Sequence, residues 1–229
     1  MVRRAAKLTD DAGETFENVP SPLSDAGDPD NYYGRRLRTR LGISVKGKRC
    51  IELGAGITGL ASHAASLSGA IRVIATDIDE KDELAHLASV SGSHIYDAKI
   101  VSQNSHCKGQ FVGTLAMLQR TLETNREALR SAGGCQIEAA PLTWGSAESS
   151  VFSEPWDYIF GADIIYHSAT YSSLADSIYR LMNSGGKLNH RTEALLIYME
   201  RGLDEAIFVE LLQHIKGLEL EKLEIPPIE

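Results

Sequence analysis

The sequence predicts an α/β protein built on a doubly wound, mostly parallel sheet, and three observations predict it. First, an apolar run ends in three glycines within "CIELGAGITGL", residues 50–60, the punctuation of a strand that turns sharply into a helix. Second, short apolar runs alternate with longer stretches of helical spacing, the pattern of strand–helix–strand units. Third, a chain of 229 residues, 43% of them hydrophobic, is long enough to bury one sizeable core.

The elements follow in order. Residues 1–30 are rich in Asp, Glu, Ser, Pro and Gly with little periodicity, and read as a flexible N-terminal tail. Residues 31–229 read as a single domain, opened by a short helix at "NYYGRRLRTRLGIS" (31–44). "KRCIEL" (48–53) is a strand, "TGLASHAASLSG" (58–69) a helix and "IRVIATD" (71–77) a second buried strand. Residues 80–112 are polar, poorly periodic and longer than an ordinary connection, so they read as an irregular insertion. Residues 113–133 carry Leu115, Leu118, Leu122 and Leu129 on one helical face. Strands are expected at 135–142 and 156–166, a helix with a glycine stop signal at 171–186, and a fifth strand at 193–200. A helix at 203–217 and an alternating strand at 218–225 complete the chain, and no seventh strand is legible. Pro226 and Pro227 argue against further sheet.

Composition removes several classes of function. Asp and Glu number 31 against 23 Lys and Arg, a formal net charge of −8. Such a surface disfavours nucleic acid and suits a neutral or basic partner. No apolar run approaches the roughly 20 residues of a membrane span, and the N-terminus lacks the apolar core of a secretory signal. Cys50, Cys107 and Cys135 show no C-x-x-C spacing, which argues against a disulfide framework or a zinc site. The expectation is a cytoplasmic monomer, the nucleus remaining open, with no metal, no nucleic-acid partner and no membrane association.

The glycine turn raises a question of charge. Glycines after a first strand let backbone approach a ligand at a helix N-terminus. The spacing of Gly54, Gly56 and Gly59 is literally that of a dinucleotide turn, yet Glu52 stands two residues before the first glycine. A carboxylate there opposes an anionic pyrophosphate and favours a cationic sulfonium cofactor, by Coulomb sign. Asp77, ending the second strand, suits the ribose hydroxyls of either cofactor, and equally suits a helix N-cap; Asp79 is the less favoured neighbour.

Later motifs narrow the choice. "IELGAG" (51–56), "ATD" (75–77), "LTWG" (142–145), "FGADIIY" (160–166) and "EALLIYMERG" (193–202) occur in that order. Together they resemble the seven-strand, class I methyltransferases grouped as protein-lysine methyltransferase family 16, over roughly residues 45–79 and 113–223. The resemblance implies a Rossmann-like fold, S-adenosyl-L-methionine as cofactor, and a lysine side chain of a protein as methyl acceptor. It implies that Gly54, Ala55 and Gly56 line the methionine end of the cofactor, Asp77 holds the ribose, Trp144 lies against the adenosine and Ala162 lets the cofactor approach. Asp163 and Tyr166 match the family's D-x-x-Y motif at the substrate mouth and are the expected catalytic residues. His167 reads as a surface residue. Three features depart from the family: the turn reads "GAGITG", one residue longer than usual; the upstream tryptophan is absent, leaving Tyr32 or Tyr33 as substitutes; and the family's antiparallel seventh strand, inserted between strands five and six, is not legible. The alternatives are a small-molecule methyltransferase, a divergent inactive member and, last, an NAD(P)-dependent oxidoreductase.

Overall fold

The computed structural model describes residues 3–9, 43–79, 81–82, 113–184, 191–199, 202, 205–215 and 217–223. Seven strands form one sheet: β1 (Arg3–Thr9), β2 (Arg49–Leu53), β3 (Arg72–Asp77), β4 (Ile137–Pro141), β5 (Tyr158–Ala162), β6 (Glu193–Met199) and β7 (Glu219–Leu223). Their spatial order is β4-β3-β2-β5-β6-β1-β7. β2 pairs in parallel with β3 and β5, β3 with β4, and β5 with β6. The helices are α1 (Leu60–Leu67), α2 (Thr114–Ser131), α3 (Tyr171–Met182) and α4 (Glu205–Glu210), the last continued by a π-helical turn over Leu211–Ile215.

The seventh strand exists, and it comes from the wrong end of the chain for a reading made along the sequence. Residues 3–9, expected within a flexible tail, pair antiparallel with β6 from Arg3↔Met199 to Thr9↔Glu193. The other edge of β1 pairs antiparallel with β7. Among the described residues β1 is thus the one reversed strand, lying between the fifth and sixth parallel strands, and β7 pairs with the sheet through it. The rest of the expected tail, the helix at 31–44 up to residue 42, and all of the 80–112 insertion except residues 81–82 lie outside the described residues. The expected glycine stop at residues 185–186 does too.

Alternation along the strands sorts side chains to two faces. Ile51, Leu53, Ile74, Ile159 and Leu196 pack with Leu174, Ile178 and Leu181 of α3 and with Phe208 of α4. Cys50, Val73, Ala75, Phe160 and Leu195 pack with Ala65 of α1 and the α2 leucines. Leu115, Leu118, Leu122 and Leu129 are all buried, as their spacing predicts. Burying each stabilises by about 1.5–3 kcal/mol, and Leu118→Ala, at a fully buried site, is expected to cost about 2–5 kcal/mol. The sheet edges are guarded: β4 carries exposed Glu138 and ends in Pro141, and β7 exposes Glu219, Glu221 and Lys222. Ion pairs gather at the amino ends of the strands, where Arg49 and Arg72 both meet Glu154. The opposite, carboxyl end is left to the glycine turn.

Candidate active site

The winding reverses between β2 and β5, so the crevice beyond their carboxyl ends is where a ligand fits. β2 delivers the glycine turn there. Gly54 has φ 59° and Gly56 φ 60°, a left-handed conformation that glycine adopts without cost. A Cβ on Gly54 would lie 2.7 Å from Ile164 Cγ2 and 3.1 Å from Trp144 Cζ2, whereas a Cβ on Gly56 would meet nothing within 4 Å. The first glycine is therefore required by packing, and the second faces open space. Ala55 is buried, its N–H donating to the Thr76 carbonyl at 2.9 Å. The extra residue of the turn is accommodated at Ile57, 46% exposed, while Gly59 still sits at the start of α1 with φ 58°.

Glu52 and Asp77 share the face on which α1 lies, because Glu52 keeps step with Cys50 and Asp77 with Val73 and Ala75. Glu52 is 3% exposed. Its Oε2 accepts from Ser62 N at 2.7 Å and its Oε1 from Ala61 N at 3.3 Å. The carboxylate therefore lies beneath the turn, satisfying N–H groups in the first turn of α1. Burial pushes it above the usual carboxylate range, and the hydrogen bonds from Ser62 and Ala61 partly offset that. Asp77 braces the turn itself: Oδ2 accepts from Gly56 N at 2.7 Å and Oδ1 from Ile78 N at 2.8 Å. Asp79 Oδ1 accepts from Asp82 N at 3.0 Å.

The other wall comes from the segments after β4 and β5. Trp144 is half-buried and reaches Gly54 with its six-membered ring. Ile164 is wedged between Gly54 and Gly161, where a Cβ would stand 2.5 Å from its Cδ1. The expected strand at 156–166 stops at Ala162, because Asp163 turns to φ 58°, the single positive φ outside glycine among the described residues. Asp163 N still donates to the Ile197 carbonyl at 2.7 Å, which fixes the turn. Strained backbone of this kind gathers at functional positions, and Asp is among the residues that tolerate it. Ala162 and Asp163 are exposed, and Tyr166 is 54% exposed. His167 is a cap: its Nδ1 accepts from Ala169 N at 3.2 Å at the 3-10 turn leading into α3.

Gly54 and Trp144 are brought into contact, and Gly56 and Asp77 are bonded to each other. Ala162, Asp163 and Tyr166 follow at the carboxyl end of the adjacent strand β5. Tyr32 and Tyr33 lie outside the described residues. Reading the chain missed Ile164, which the local "GADII" marks only as apolar, and the contacts that hold the Trp144 turn. Among the described residues, no group of three or more His, Cys, Asp or Glu is placed to hold a metal ion, and no helix is long and apolar enough to cross a membrane.

Six parallel strands with one antiparallel strand between the fifth and sixth, and a glycine turn at the switch point, make a Rossmann-like sheet with the strand arrangement that the resemblance to class I methyltransferases implied. Residues 111–215, a little under half of the chain, match the family model described as lysine methyltransferase. The match takes in Trp144, Ala162, Asp163 and Tyr166; the glycine turn and Asp77 precede it. The UPF0665 family protein C23C4.06c of Schizosaccharomyces pombe is 34% identical over 67 residues, 29% of this chain and 20% of that protein. Among solved structures, an S-adenosylmethionine-dependent methyltransferase from Mesorhizobium loti is 17% identical, with TM-score 0.35, over 65% of this chain and 48% of its own. Magnesium protoporphyrin IX methyltransferase from Synechocystis, solved with bound SAH, is 17% identical, with TM-score 0.34, over 61% of this chain and 43% of its own. The chain thus spans less than half the length of each of these relatives.

Proposed function

We propose that this protein transfers a methyl group from S-adenosyl-L-methionine to a lysine side chain of a protein substrate. The observation that carries the cofactor assignment is Glu52. Its carboxylate already fills the N-terminus of α1, the place where a dinucleotide would put its pyrophosphate. A phosphate group there would face a buried negative charge; a sulfonium and an ammonium face an attractive one.

The residues present fit that cofactor. The open space at Gly56 admits a ligand against bare backbone. Asp77, closing β3 beside the turn, is placed to meet ribose hydroxyls, and Trp144 offers a flat apolar surface to an adenine. When bound, S-adenosylmethionine supplies the activated methyl group. The chain's own part is to place an amine. A lysine is protonated in water, with a pKa near 10.4, and must shed that proton to water before it reacts. Exposed Asp163 orients the incoming ammonium, and Tyr166 provides an aromatic wall that desolvates it and lowers its pKa. Positioning at about 3–3.5 Å is the main source of acceleration in such a displacement.

The match of residues 111–215 to the lysine methyltransferase family supports lysine as acceptor, and the net charge of −8 suits a basic partner surface, acting with a monomer in cytoplasm or nucleus. Two measurements test this. Calorimetric titration is expected to show S-adenosylhomocysteine binding and NAD not binding; the reverse overturns the cofactor assignment. Incubation of cell extract with methyl-labelled cofactor is expected to label a protein band. Label confined to small molecules overturns the choice of acceptor.

A further inference from the structure

The turn that carries Trp144 is clamped along one face of α3. Ser177 is fully buried. Its Oγ accepts from Gly145 N at 2.9 Å and donates to the Ser173 carbonyl at 3.0 Å. One turn further along the same face, Arg180 Nη1 donates to the Ser146 carbonyl at 3.3 Å, its guanidinium 5.9 Å from the centre of the Phe152 ring. Gly145 has φ 82°, and a Cβ there would stand 3.0 Å from Ser173 Cβ, so the turn lies flush on the helix. Residues 173, 177 and 180 are spaced i, i+4 and i+7, which puts them on one helical stripe. Trp144, immediately before Gly145, projects from this clamp onto Gly54.

We propose that Ser177 is a positioning residue that sets Trp144 against the glycine turn, with Arg180 as a second, outer attachment. The part that concerns ligand affinity rests on the cofactor reading above. The physical reason is the economy of the hydroxyl. A buried hydroxyl can accept from one backbone N–H while donating to a carbonyl on its own helix, so it ties a turn to the helix and leaves none of its own polar atoms unpaired. An alanine at 177 keeps the packing and loses the tie. The helix also begins at Tyr171, soon after the Asp163–Tyr166 segment, so one rigid element sets both segments of the wall that follows β4 and β5.

The chain has two tryptophans, which makes the test direct. Trp156 is fully buried, with its indole N–H donating to the Val151 carbonyl at 2.8 Å, and serves as a constant reference. The Trp144 share of the emission is obtained by comparison with Trp144→Phe. Ser177→Ala is expected to shift that emission to the red, raise its quenching by acrylamide, and weaken S-adenosylhomocysteine binding about 3- to 10-fold, the span of one lost hydrogen bond. Ser177→Thr, which keeps a hydroxyl, is expected to restore both. Arg180→Ala, at an exposed position outside the core, is expected to move the emission in the same direction by a smaller amount, and it carries the test if Ser177→Ala does not fold. Wild-type emission and quenching in both Ser177→Ala and Arg180→Ala overturn the proposal. The emission needs no ligand, so a wild-type protein that fails to bind S-adenosylhomocysteine overturns the cofactor reading alone. Weakened binding in Trp144→Ala but not in Ser177→Ala leaves that reading standing and removes Ser177.

Discussion

The two walls of the crevice are made differently. The wall after β2 and β3 is backbone braced by carboxylates: Glu52 beneath the turn and Asp77 across it, each bonded to main-chain N–H groups. The wall after β4 and β5 is side chain, with exposed Ala162, Asp163 and Tyr166, and a left-handed Asp163 as its tightest point. The family match covers the second wall and stops short of the first. The first wall is a pre-formed cradle whose shape is costly to disturb. The second presents exposed side chains at a rigid strand end, where residue identity is cheap to vary.

If this contrast is right, damage to the two walls should be read out differently. The largest effect is expected from Gly56→Val. It forces a β-branched residue to φ 60° and fills the open space. S-adenosylhomocysteine affinity should fall by about 100-fold or more, equivalent to about 2.8 kcal/mol; unchanged affinity by calorimetry would make the turn purely structural. Asp77→Ala comes next, releasing Gly56 N and Ile78 N together. It should weaken binding about 10- to 100-fold and lower stability by about 1–3 kcal/mol, measured by denaturant unfolding. Loss of stability with full affinity would leave Asp77 as a brace only.

On the second wall, Asp163→Asn should reduce turnover about 10-fold, or about 1.4 kcal/mol of barrier, while affinity for S-adenosylhomocysteine stays within about twofold. Equal losses would move Asp163 into the cofactor site. Asp163→Gly should stabilise the fold by about 0.5–1 kcal/mol, since glycine relieves the left-handed strain, and still lose turnover. A destabilised Asp163→Gly would mean that the side chain holds the turn.

The smallest effect concerns Glu52 and pH. Its carboxyl is raised above the ordinary 4.5 by burial. Below that pH it is protonated whether folded or unfolded. As pH rises, the unfolded chain ionises first, so the stability this group contributes is lost as pH climbs through its raised folded value. The difference in unfolding free energy between wild type and Glu52→Gln should therefore decline from about pH 4.5 upward. A difference flat with pH would show that Glu52 keeps its ordinary acidity.

Much of the candidate site's layout was legible because its signals are local. The glycine run, the acid closing β3, the "LTWG" and "FGADIIY" segments and the leucine stripe of α2 are patterns within one element or one turn. Glu52 was legible as a charge near the turn, and its sign carried the argument. Its actual bonding to Ala61 and Ser62 was not, because that depends on which face of β2 meets α1. Ser177, Ile164 and the contact of Trp144 with Gly54 left no sequence signal, since each joins residues far apart in the chain.

By itself the sequence determined the alternation of strands and helices, the buried stripe of each helix and the place of the glycine turn, because period and residue type are properties of a short window. Only the tertiary structure decided that "RRAAKLT" is a strand. That stretch has no clean alternation, and strand preference depends on neighbours more than on composition. Placed between β6 and β7, it is held by main-chain pairing on both edges, an interaction that any residue with a free N–H and C=O can make.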